Sequence, residues 1–246
     1  MLFISYLYDM NSKTYKAFGD SWVDYPIPFV GGGLYDHLAT LANISIENHG
    51  KAGDSTEQTM GLNKRARLQT ALKDCNILFW SSGGDDFAGE QFVILLNKNV
   101  DGDITKAINW KRANAYFDLI IADYECLFEL RDEVNPGCWI VFHDYDYPVA
   151  SVMGKGILFL GPWLQPSLID RGWTNVNDQV AIVKLFLAEL QSRFSAFSIT
   201  QKNCLFVNTQ GVLHEDDWAN ELHLEDIGWK KIAMIIHQKL LIHQLL

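Results

Sequence analysis

Apolar and polar positions recur along this chain with two different periods. Short runs of β character lie at 15–18 (ending at Gly19), 44–48, 76–80, 139–142 and 205–207. The runs at 76–80 and 139–142 are nearly continuous in apolar residues, as strands covered on both faces should be. Between them the period becomes helical. Val183, Phe186, Leu187, Leu190, Phe194 and Phe197 make one face of a helix. Ile232, Ile235, Ile236 and Leu240 mark another near the C-terminus. Residues 34–43 and 55–73 also read as helices. In the second, Ser55 is the N-cap and Gln58, three residues on, completes a capping box. Residues 105–134 read as one long helix or a broken pair, stopped by Asn135-Pro136-Gly137.

Five strands alternating with helices predict an α/β fold, a three-layer α/β/α sandwich around a parallel sheet. Right-handed crossovers leave few topologies. With no repeat, low-complexity tract or linker, residues 1–246 are expected to form one domain. One segment, 143–176, lacks a clear period and carries Trp163, Trp173 and four glycines. A stretch that long without structure is usually a lid or binding loop. It leaves the carboxyl end of the fourth strand, where open α/β sheets build their sites.

Composition narrows the function classes. A hydrophobic share of 48% and a charged share of 20% exclude a disordered or fibrous chain. The net charge of −10 argues against a nucleic-acid partner and against adhesion to an anionic membrane. No apolar run reaches ~18 residues, so no membrane span is expected. The apolar N-terminal stretch at 1–8 has no basic flank or small-residue cleavage site, which makes a cytoplasmic location the expectation. Cys75, Cys126, Cys138 and Cys204 form no CxxC pair, and three adjoin apolar runs, so free thiols are expected, most of them buried.

Four short segments could carry chemistry. Phe18-Gly19-Asp20-Ser21 is a strand running into a turn that presents a serine. Asn48 to Ser55 is a Gly-bearing turn into a helix. Ser82-Gly83-Gly84-Asp85-Asp86 follows the third strand, and Asp216 to His223 precedes the last helix. Parallel strands bring their carboxyl ends to one edge, so these segments can converge. Together they supply what acyl transfer requires: a hydroxyl (Ser21), a base within reach (His223), and backbone N–H donors for an oxyanion. Glycine at 53 would let such a donor approach a substrate without a Cβ in the way.

With these blocks in this order, the chain resembles a GDSL-type esterase of the SGNH hydrolase superfamily. The resemblance implies a flavodoxin-like fold, Ser21 as nucleophile with its own N–H in the oxyanion hole, Gly53 as second donor and His223 as base. It implies a small-molecule ester substrate and neither cofactor nor metal. Two positions depart from the family pattern. Asp85 stands where an oxyanion-donating Asn is usual, and it can donate only if protonated, through desolvation or through neighbouring Asp86, Asp20 and Asp54. Asn220 stands where the triad Asp is usual; its carbonyl can fix the imidazole tautomer but adds no charge. Asp217 or Asp216 is the alternative orienter.

Trp22, Tyr145, Tyr147 and Trp163, with the apolar run 157–160, are expected to line a substrate pocket, and His49 or His143 could join them. His143-Asp144-x-Asp146 is a weak metal pattern without a second cluster. Gly31-Gly32-Gly33 fits no phosphate motif and reads as a turn. The leading expectation is therefore a serine ester hydrolase. The alternatives are a degenerate binding protein on the same frame, motivated by Asp85 and Asn220, or an acetyl-glycan esterase or acyltransferase.

Overall fold

A computed structural model describes residues 13–25 and 32–246. The apolar stretch at 1–8 and Gly31 lie outside the described residues. Strands β1 (Tyr15–Gly19), β2 (Ile46–Asn48), β3 (Ile77–Ser81), β4 (Trp139–His143) and β5 (Cys204–Val207) form one all-parallel sheet in the order β2-β1-β3-β4-β5. One register row runs Ala17, Phe79, Val141, Leu205 across four strands. Every residue of β1 and β3 is buried, so both faces of the sheet are covered.

The helices are α1 (Leu34–Ala42), α2 (Thr56–Met60), α3 (Leu62–Leu72), α4 (Phe92–Leu95), α5 (Trp110–Val134), α6 (Gln165–Asp170), α7 (Val176–Ser198) and α8 (Asp226–Ile242). On one side α1 packs against α8. On the other, α3 packs on α5 and α5 on α7. Right-handed crossovers require this division, because β2 lies on one side of β1 while β3, β4 and β5 follow on the other.

Local chemistry sets the element ends. The Ser55 side chain accepts from Gln58 N–H at 3.1 Å, and Gln58 Oε1 accepts from Ser55 N–H at 3.2 Å, closing the capping box. The helix expected over 55–73 is instead two. Gly61 is extended (φ −60°, ψ 154°) and ends α2 while starting α3. Helix α5 is unbroken and starts at Trp110, where Asn109 caps it; residues Ile104–Lys106 form only a 3₁₀ turn. The segment 143–176 is not structureless either, since it holds a 3₁₀ turn at Ala150–Val152 and helix α6. Arg131 of α5 is wholly buried and donates to the carbonyls of Cys138, Lys202 and Asn203, tying together the entries to β4 and β5. All four cysteines are free, Cys75 and Cys138 buried, Cys126 and Cys204 partly so. No helix among the described residues is long and apolar enough to cross a membrane.

The sheet order changes direction between β1 and β3. The chain leaving β1 crosses towards β2 and the chain leaving β3 crosses towards β4, so a crevice opens beyond their carboxyl ends. The Gly19-Asp20-Ser21 turn and the Ser82–Asp86 loop flank that crevice.

Candidate active site

Gly19 makes the first turn possible. Its φ is +144°, and a Cβ there would fall 1.7 Å from the Ser81 carbonyl oxygen, so only glycine closes β1 onto β3. Beyond it the chain curls at once, with Val23 and Asp24 N–H groups donating to the Asp20 carbonyl at 3.1 and 3.0 Å. The buried Asp20 carboxyl accepts from Trp22 N–H (2.9 Å), from Ser81 Oγ (3.1 Å) and from the Tyr145 hydroxyl. Burial raises its pKa to about 6 against the pull of these donors. Asp20 thus braces the turn, and Ser21 sits at its apex. The Ser21 N–H has no hydrogen-bond partner among the described residues.

His223 reaches this apex from the far end of the chain. Its Nε2 lies 2.8 Å from Ser21 Oγ and its Nδ1 lies 3.0 Å from Asn220 Oδ1. That amide oxygen also accepts the N–H groups of Leu222 and His223, each at 3.0 Å, which fixes it as the carbonyl. Nδ1 therefore carries the proton, and Nε2 is left bare to accept from the serine. The loop itself is pinned by a short antiparallel bridge between Trp218 and Leu224, and by Trp22 Nε1 donating to the Leu222 carbonyl at 2.9 Å. The rings of Tyr25 and Trp163 flank the imidazole at 5.5 and 5.6 Å. Burial lowers the His223 pKa to about 4, and its Nδ1 partner is the neutral Asn220 amide rather than a carboxylate.

The second and third blocks meet at Asp85. Gly53 has φ +85°, and a Cβ there would meet nothing within 4 Å. Its glycine thus answers a backbone conformation rather than a steric demand, which refines the sequence expectation. The Gly53 N–H is directed at the Asp85 carboxyl. Burial holds Asp85 well above the usual carboxylate range, and the nearby charges of Asp20, Asp86 and Asp54 add to it. Its Oδ2 is buried without a partner. Asp86 turns away, accepting from the N–H and hydroxyl of Thr56 at the start of α2.

Other expected members fall elsewhere. The Asp217 carboxylate is occupied by Lys231 Nζ and His214 N–H, both at 2.7 Å, while Ser21 and Asn220 already engage both imidazole nitrogens. Asp217 is thus not the orienter. Trp22 and Tyr145 line a cavity beside Ser21, but Tyr147 does not: its hydroxyl donates to Gln210 at 2.6 Å. Trp163 borders a separate cleft with Gly53 and Asp85. The run 157–160 fails to line the pocket. Ile157 and Leu160 exchange backbone hydrogen bonds at 2.8 and 2.7 Å, and this tight reversal turns Leu158 and Phe159 out to solvent. His49 stacks on Phe18 and pairs with Glu47, and His143 is buried behind Trp22; neither borders the cavity. Asp144 is engaged by Thr209, and Asp146 accepts the N–H groups of Gly211, Val212 and Leu213. Among the described residues no His, Cys, Asp or Glu cluster converges as a metal site.

Glu221, within the Asp216–His223 segment, carries no role predicted from the sequence. It is buried, and its carboxylate accepts four backbone N–H groups at 2.6–3.0 Å, from Gly154, Trp163, Leu164 and Gln165. It clasps the 154–165 segment to the His223 loop. No local pattern announces this, because the donors are backbone atoms at least 56 residues away.

No protein-family model matches the chain, and no curated protein matches it by sequence. Solved structures do match by shape. A lipase from a goat rumen metagenome superposes with a TM-score of 0.62 at 10% identity, covering 93% of this chain and 97% of its own. A carbohydrate esterase of family 3 from Talaromyces cellulolyticus gives 0.53 at 12% identity, covering 94% and 98%. A member of the lipolytic G-D-S-L family from Veillonella parvula gives 0.52 at 13% identity, covering 94% and 97%. These superpositions span 93–94% of this chain with its five-stranded parallel sheet, and the fold of this chain is that of the GDSL-type SGNH hydrolases.

Proposed function

We propose that the chain is a serine ester hydrolase acting through an acyl-enzyme. The observation that carries this is the relay Ser21 Oγ–His223 Nε2–Asn220, at 2.8 and 3.0 Å, with the imidazole tautomer fixed for a base. In this reading Ser21 Oγ attacks the acyl carbonyl while His223 takes its proton. The oxyanion that forms takes the Ser21 N–H, the hydroxyl of protonated Asp85, and the Gly53 N–H, which it draws from the Asp85 carboxyl. His223 then hands its proton to the leaving alcohol. Water, deprotonated by the same base, releases the acyl group. The fold shared with a lipase and a carbohydrate esterase supports the reaction class.

The Asp-to-Asn change at 220 removes charge support for the imidazolium, yet the serine keeps its base because the tautomer is set by geometry. This favours the enzyme over a degenerate binding protein. The test is labelling with a fluorophosphonate together with turnover of p-nitrophenyl esters. Labelling at Ser21 and loss of turnover by at least about 10³-fold in Ser21→Ala are expected. Unlabelled Ser21 with no turnover on any ester would favour the binding protein.

A further inference from the structure

Two depressions meet at Asp85. One is a small cavity of about 40 Å³ bordered by Ser21 and Asp85 and walled by Tyr145, Leu164, Val183, Leu187 and Trp218. His223 and Gly53 do not border it. The other is a broad cleft of about 440 Å³ bordered by Gly53, Asp85, Gln58, Gln91, Tyr116 and Trp163. Trp163 stands edge-on to the His223 ring, so this cleft lies on the base's side of the serine.

Proton bookkeeping decides which half of an ester enters which depression. The leaving oxygen must receive its proton from His223 Nε2, so the alcohol occupies the side that the imidazole faces. The carbonyl oxygen points to the donors at Ser21, Gly53 and Asp85. The remaining substituent, the acyl chain, is directed into the cavity that His223 does not border. Apart from Ser21 and Asp85 at the reacting end, the charged and hydroxyl side chains lining that cavity are engaged elsewhere. The Tyr145 hydroxyl is bound to Asp20, and the Glu221 and Asp146 carboxylates each hold four backbone N–H groups. The surface offered to a ligand is therefore apolar. Its wall residues are themselves buried, with Val183 at 1% and Leu164 at 2% exposure, so the wall does not yield to solvent.

Resting on the ester-hydrolase reading, we propose that this cavity is the acyl subsite and that it selects straight short acyl chains, acetyl to butyryl. At ~10–15 Å³ per water-sized probe the space holds roughly three such volumes, enough for about three carbons beyond the carbonyl. Longer chains meet Val183, Leu187 and Trp218.

The experiment is a chain-length series of p-nitrophenyl acetate, butyrate and octanoate on the whole chain, alongside fluorophosphonate labelling. Relative to butyrate, kcat/KM on octanoate is expected to fall at least about tenfold. Leu187→Ala, and Val183→Ala as a second variant should the first fold poorly, are expected to raise the octanoate-to-acetate ratio about tenfold. A wild-type profile that is flat or rises towards octanoate, with turnover still dependent on Ser21, overturns the acyl assignment alone. A ratio unmoved in both folded variants does the same. No turnover on any ester and no label on Ser21 overturns the hydrolase reading, and the assignment with it.

Discussion

His223 bonds Ser21, Asp85 borders the cavity beside the same serine, and burial favours the neutral form of both. For His223 the consequence is an available base down to a pKa of about 4. For Asp85 it is a carboxylic acid that keeps its proton above the usual carboxylate range and so can donate where an Asn amide ordinarily would. The signs set a pH window. Below about 4 the imidazole gains a proton and cannot take one from Ser21. As pH rises through the elevated pKa of Asp85, the donor becomes an anion and repels the oxyanion. A bell-shaped kcat/KM is expected, with an acid limb near 4 and an alkaline limb belonging to Asp85. Asp85→Asn is expected to abolish the alkaline limb, and Asp85→Ala to lower kcat by about 10²–10³-fold at all pH, the usual loss for one oxyanion donor. Both are measurable with a butyrate ester, and an alkaline limb unchanged in Asp85→Asn would remove Asp85 from this role.

Between elements, the main joint at the site is Glu221. Its four N–H partners lie in the segment leading into α6, and its neighbours Asn220 and His223 form the relay. The carboxylate thus couples the wall of the cavity, through Leu164, to the loop that carries the base. Glu221→Gln keeps the shape but replaces one acceptor oxygen by a donor, leaving two buried N–H groups opposed. A loss of about 2–4 kcal/mol in unfolding free energy is expected, with faster amide exchange at Gly154 and at Trp163 to Gln165. Unchanged exchange at those amides would show that the clasp is redundant. The helices were largely legible because their period is local, as the face from Val183 to Phe197 shows. The interruption at Gly61 was not, since a single glycine is tolerated in many helices and nothing local distinguishes the extended Gly61 between α2 and α3, both of which pack on α5.

Across the molecule, burial of acids also shapes stability. Desolvation raises Asp20 and Asp86 to about 6 and Asp144 to about 7, and raises Asp85 as well. Unfolded, each would release its proton near 3.8. Between those values the native state holds more protons, so stability falls as pH rises. His143 and His223, lowered to about 4 by burial, act in the opposite sense between about 4 and 6.5. Burial also raises Asp123 and lowers His49, so five carboxyls outweigh three imidazoles, and above 6.5 the imidazoles contribute nothing further. Tm is therefore expected to decline from about pH 5 to about pH 8, measured by scanning calorimetry; a rise across that range would contradict the assigned protonation. By itself the sequence determined the strands, most helices, the parallel α/β class and the blocks around Ser21, Gly53, Asp85 and His223, because period and motif are written in neighbouring residues. Tertiary structure alone decided that Ser21 meets a histidine 202 positions away. It also decided that Asn220 rather than Asp217 contacts that histidine, that Val183 and Leu187 wall the cavity while Leu158 and Phe159 face solvent, and which acids burial holds above the usual carboxylate range. Those outcomes depend on which distant atoms exclude water from one another, and no local spacing records that.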